Sequence, residues 1–231
     1  MLEKESMEPT DLIKYLDEIP EDYDDFFKVI PYAKQAVSAY NWYRKRRISL
    51  FLKSVDFSAK PLPQVEKDKF DKYVNSKIGR ELLAEYSDTV LRTSSEVAIA
   101  ALGILYADTE NEIYNFEFKR IACRALEGAT DILLEGFIFL CELDPKPEKG
   151  PYPLHLLTQE FIESNPQAKE IIGSAEDAFA LVNHLIRKGM LLPDHVSSRI
   201  SGDKWFINYG VTDISIKIKD LILKAKQILE T

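Results

Sequence analysis

The 231 residues are 45% apolar and 29% charged, with a formal net charge of −8, three histidines and two cysteines. So much apolar residue at so modest a charge builds a core and excludes a disordered chain. The longest uncharged apolar run, Val97 to Ala107, is far shorter than the roughly 20 residues of a membrane helix.

Charge comes in blocks. Residues 1–28 carry ten acids and three bases, and residues 29–80 carry four acids and twelve bases. Residues 81–150 carry fourteen acids and six bases, and 151–231 carry ten and nine. Such blocks mark faces that meet something, and the partner can be the protein itself. Met1 to Thr10 is polar and acidic, with no charged-then-apolar leader, so the expected location is the cytoplasm.

Residues 1–28 read as an acidic arm with one short helix, Asp11 to Ile19, stopped by Pro20. A helix is predicted from Pro31 through Ala36, Val37, Tyr40, Ile48, Phe51, Leu52 and Val55, with apolar residues three and four apart. Val65 to Tyr73 reads as a short amphipathic helix after Pro61 and Pro63. From Ile78 to Leu143 the helical pattern hardly stops. One inward set runs from Leu82 and Tyr86 to Ile104 and Leu105, and another from Phe116 through Ala122, Ala125, Ile132 and Phe137 to Leu140. Residues 29–143 are therefore expected to form a helical bundle. Cys123 and Cys141 fall in this region, about 27 Å apart on a continuous helix, and are read as two reduced, buried thiols.

Residues 144–153 hold four prolines and a glycine and read as a linker. Beyond it, residues 154–231 form a second pattern. Leu154 to Ser164 is predicted as a helix, and Pro166 to Ile172 as another, broken by Gly173. Ser174 to Asp177 is a capping box that opens a helix ending at Gly189. Val196–Ser201 and Lys204–Tyr209 are predicted strands of a small hairpin around Gly202-Asp203, with Ile200 opposite Trp205. A last helix follows Thr212, with an inward stripe of Ile214, Ile218, Leu221, Ile222, Ala225 and Leu229. The helix ending Leu185-Ile186-Arg187-Lys188-Gly189-Met190-Leu191 and the step Tyr209-Gly210-Val211-Thr212 carry a resemblance. Three helices, a hairpin and a closing helix in this order resemble a winged helix. The resemblance implies a fold more than a function. The expected fold is thus mainly α: an N-terminal helical bundle and a C-terminal winged helix with its hairpin.

No catalytic constellation appears. His155, His184 and His195 stand in no metal-ligand spacing, and there is no phosphate-binding glycine loop or nucleophile elbow. Asp108 to Glu112 suggests a calcium loop, but Ile113 and Lys119 occupy the places of the required glycine and glutamate. The chain is read as non-enzymatic, without cofactor or metal.

Two binding surfaces stand out. Arg44, Lys45, Arg46 and Arg47 follow Tyr40, Trp42 and Tyr43, and the helical phase points Arg44 inward. This basic turn suits pairing with Glu21, Asp22, Asp24 and Asp25, a phosphate surface, or a membrane surface. In the winged helix, the face of the helix before the wing offers Asn183, His184, Arg187 and Lys188, and the wing offers Arg199 and Lys204. Glu176 and Asp177 on the same helix would repel phosphates. The leading expectation is a regulator or adaptor that binds duplex DNA through the winged helix. The alternatives are a protein-interaction scaffold, which includes a homo-oligomer, and last a peripheral membrane effector.

Overall fold

The helix with no polar face sets the architecture. A computed structural model describes residues 33–59, 63–108, 114–146, 152–194, 200–201 and 204–230 of the chain. Within them lie α1 (Ala33–Ala59), α2 (Gln64–Asn75), α3 (Lys77–Arg92), α4 (Glu96–Ala107), α5 (Phe116–Leu126) and α6 (Asp131–Glu142). The order continues with β1 (Leu154–Thr158), α7 (Gln159–Ser164), α8 (Pro166–Ile172), α9 (Ala175–Arg187), β2 (Leu192–Pro193), β3 (Ile200–Ser201), β4 (Lys204–Gly210) and α10 (Asp213–Leu229). The protein is mainly helical with a small antiparallel sheet. The predicted arm, residues 1–28, lies outside the described residues, as do Pro31 and Gly202-Asp203.

Every residue of α4 from Ala98 to Ala107 is buried. A helix apolar all round must be enclosed by other elements, and α1, α3, α5, α6 and α10 all pack on it. The closest approach is with α1. A Cβ added at Gly103 would stand 2.7 Å from Ser54 Cβ and 2.8 Å from the Phe51 carbonyl oxygen. On the other side, α10 lays Ile218, Leu221, Ile222 and Ala225 into one core continuous with that of the bundle. The stripe of α10 turns slightly away from the predicted one: Ser215 is buried, whereas Ile214 and Leu229 reach solvent. Phe116 and Ile132, also predicted inward, begin α5 and α6 and are exposed.

Local chemistry fixes the helix starts. Ser76, Ser95, Asn115, Thr130, Thr158 and Asn165 each accept a hydrogen bond from an amide of the first turn, which satisfies donors the helix leaves open. Ser174 and Thr212 open α9 and α10 with full capping boxes. The predicted Leu154–Ser164 helix is instead β1 followed by α7. Leu154 to Thr158 alternates inward and outward, with His155 and Leu157 buried, and pairs with β4 from Leu154 opposite Gly210 to Thr158 opposite Phe206. A short apolar run takes either form, and here a partner strand some fifty residues away decides it. β4 is central, with β1 against one edge and β2 pairing at Gly210 and Tyr209. Ile200 pairs with Trp205 as predicted, although Val196 to Arg199 lie outside the described residues.

Where the sheet meets the bundle, Tyr209 is fully buried and donates a 2.9 Å hydrogen bond to the Leu140 carbonyl near the end of α6. The ring of His155 stacks on it at 5.5 Å. Cys123 and Cys141 are both free and occupy different helices, α5 and α6, rather than one continuous helix. Burial pushes the Cys141 thiol up to about 12.

Two outcomes follow from this packing. In an open helix Gly→Ala is stabilising by about 1 kcal/mol, but Gly103→Ala is expected to destabilise by about 1–3 kcal/mol because the α1 backbone must move. Chemical denaturation of the two proteins gives the sign. Burial also lowers the pKa of His155, against the weaker pull of the Leu143 carbonyl and Asp144. Below the ordinary value of 6.5, the unfolded chain then binds a proton that the native state rejects. Stability is expected to be held above that pH and to fall as pH drops through and below it. His155→Phe should flatten this slope in denaturation midpoints measured across the window.

Candidate functional site

The basic turn on α1 is largely committed to the fold. Arg47 is 9% exposed, donates to the Leu91 carbonyl at 2.5 Å and to the Tyr43 hydroxyl, and sits 3.8 Å over the Tyr43 ring. Arg46 is exposed, pairs with Glu96 at the start of α4 and lies 5.6 Å over the exposed Trp42 ring. Arg44 and Lys45 are half-buried. The helical phase puts Arg44 inward, and its Nε is buried; Arg47, one turn on, is buried more completely. The inward stripe of α1 runs Arg47, Ile48, Phe51, Ser54 and Val55, and the end of α3 supplies the acceptor. Glu21, Asp22, Asp24 and Asp25 lie outside the described residues.

In α9 the predicted outward face is outward. Glu176, Asp177, Ala180, Asn183, His184 and Arg187 are exposed, while Ala178, Val182 and Leu185 are buried and Leu181 fits against Gly136 of α6. Lys188 departs from this face. It is half-buried, and its ammonium donates to the Glu127 carbonyl at the end of α5. Burial lowers its pKa, with Glu127 opposing. Asp177 accepts from the backbone and hydroxyl of Ser174, which holds its carboxyl below the usual value. Of the residues predicted on a wing, Arg199 lies outside the described residues, and Lys204 is described only as the first residue of β4.

A third feature lies in the bundle. Between α3 and α5 opens a cleft with a volume of about 470 Å³. Both helices pack on α4 but scarcely on each other. From α3 come Ile78, Leu82, Glu85, Tyr86 and Thr89, and from α5 Phe116, Lys119, Arg120, Cys123 and Arg124. Each set follows one helix face, with residues three and four apart. Leu105 and Tyr106 of α4 and Tyr73 of α2 complete the lining. Lys119 makes a half-buried ion pair with Asp108 at 3.3 Å, and burial lowers its pKa against that pull. Tyr106 donates to the Gly79 carbonyl at 3.2 Å, and Thr89 lies 3.6 Å from the Cys123 sulfur. Burial raises the phenol of Tyr86 and the thiol of Cys123, so both are neutral at physiological pH.

Sequence reading missed this cleft because its parts come from four helices. The available signal was on α5, where Lys119, Arg120 and Arg124 share a face with exposed Phe116. Among the described residues no group of three potential metal ligands occurs, and no helix is long and apolar enough to cross a membrane. Comparison with family models, curated proteins and solved structures gives no match for this chain.

Arg46 and Arg47 of the basic turn differ sharply in what they do for the fold, and stability measurements separate them. Arg47→Met removes donors from a buried carbonyl and is expected to cost about 1–3 kcal/mol. Arg46→Met breaks an exposed ion pair and an exposed contact with the Trp42 ring, and should stay within about 1 kcal/mol of the parent.

Proposed function

We propose that the chain is a non-enzymatic adaptor or regulator whose C-terminal third is a winged helix binding another protein through the outer face of α9. The order of elements supports the fold reading: three helices α7, α8 and α9, the β3–β4 hairpin, then α10. β4, which comes last of the strands, lies in the middle of the sheet.

One observation carries the functional reading. The outer face of α9 is left exposed while its opposite face packs on α6 and β4, and that outer face holds two carboxylates against one guanidinium. The acids Glu176 and Asp177 occupy the first turn, the end of a recognition helix that meets bases. Phosphate contact needs uncommitted cations, and the Lys188 ammonium is bound to Glu127. A mixed face with small Ala180 at its centre suits a protein surface better than duplex DNA. Duplex DNA is the second reading, favoured by the joint exposure of Asn183, His184 and Arg187 on that face.

A photo-crosslinking side chain at Ala180 tests this in cells against the same group at exposed Lys224 of α10. A discrete protein adduct specific to position 180 is expected. In parallel, duplex anisotropy from about 50 to 200 mM salt should show only weak binding, unchanged by Asn183→Ala with Arg187→Ala. Tight, salt-sensitive duplex binding that this pair abolishes would replace the protein reading with the DNA reading.

A further inference from the structure

The α3–α5 cleft has the composition of a small-molecule site, and its parts specify the chemistry of the occupant. Its volume of about 470 Å³ falls within the roughly 300–1,000 Å³ of such sites. The walls are rich in aromatic rings: Tyr73, Tyr86, Tyr106 and Phe116 all line it. At its rim two large apolar side chains remain in water, with Ile78 64% and Phe116 66% exposed. An aromatic body seated between α3 and α5 would remove both from solvent, which is favourable in proportion to the apolar area covered.

The charges are equally specific. Lys119 is neutralised by Asp108. Arg120 and Arg124 are exposed and make no ion pair among the described residues, and Glu85 is the remaining carboxylate of the lining. Two guanidiniums against one carboxylate leave room for a single negative charge. A polyphosphate would meet Glu85 with too few cations to offset its charge, and a cation would meet two arginines.

The second, independent observation is Tyr86. Only 6% of it is exposed and it lines the cleft, yet its hydroxyl is not sealed in the core and opens on the cleft. A neutral phenol that opens on the cleft can donate a hydrogen bond to an acceptor seated there. We propose that the cleft binds a small aromatic monocarboxylate. Its ring lies among the tyrosines, and its carboxylate accepts hydrogen bonds from Tyr86 and from the guanidinium of Arg120 or Arg124. This stands independently of the reading of α9.

Calorimetric titration of the full chain with naphthoate, and with naphthylmethanol as the neutral isostere, tests the proposal. Saturable binding of one naphthoate per chain is expected, with the alcohol at least tenfold or so weaker, since a charge-assisted hydrogen bond is lost. Arg120→Gln with Arg124→Gln should reduce the acid to the affinity of the alcohol. Both arginines are exposed, so the fold survives this change. Tyr86→Phe should weaken the acid roughly two- to tenfold. Naphthoate should also slow alkylation of Cys123 in the cleft while leaving buried Cys141 unaffected. No saturable binding, or equal binding of acid and alcohol that ignores the arginine changes, overturns the proposal. So does acid binding that leaves Cys123 alkylation unchanged, because the ligand would then sit elsewhere.

Discussion

The enclosure of α4 is the constraint that organises this molecule. A twelve-residue helix without a polar side has no stable place at a surface. Its neighbours must therefore cover it completely, and they come from both ends of the chain. α1 reaches it because Gly103 and Ser54 let the two backbones approach, and α10 closes the side that the bundle leaves open. The proline-rich segment marks a change in sequence pattern but not a break in the core, since Leu221 and Ile222 share one apolar cluster with Phe51 and Leu102.

That arrangement also relates the two candidate surfaces. α5 presents Lys119, Arg120, Cys123 and Arg124 to the cleft along one face. Its C-terminal carbonyl, at Glu127, receives the ammonium of Lys188 from the end of α9. The element that lines the cleft is thus the element that holds the end of the helix whose outer face we assign to partner binding. Packed interiors transmit small displacements because they have little free volume, so the position of α5 is shared by both surfaces.

Sequence carried the local part of this structure. The capping box at Ser174, the left-handed Gly189 and the stop at Gly173 bound α9 and α8 where periodicity placed them. The face of α9 left to solvent follows from the same period, and hairpin chemistry gave the pairing of Ile200 with Trp205. Features decided by distant partners were not legible. Leu-His-Leu-Leu at 154–157 is a strand because β4 lies beside it. Phe116 and Ile132 look like core by pattern but occupy first turns at the edge of the packing. The cleft needs four helices in place before its residues have anything in common.

Charge misleads in the sequence for a physical reason. Each helix ends with carbonyls that have no intrahelical partner and with a partial negative charge. Three of these ends are met by donors from other elements. Arg47 caps α3 at Leu91, Lys188 caps α5 at Glu127, and Tyr209 caps α6 at Leu140. A cation beside aromatics, or one at the end of a helix before a wing, has the composition of a nucleic-acid ligand. It has equally the composition of a tertiary helix cap, and only the placement of the acceptor distinguishes them. In this chain the acceptors for two of the most suggestive cations are backbone carbonyls. The positive charge left to solvent by the bundle lies instead partly on α5, where Arg120 and Arg124 flank an aromatic cleft. Recognition of an anion is therefore better supported there than at the residues that first drew the eye.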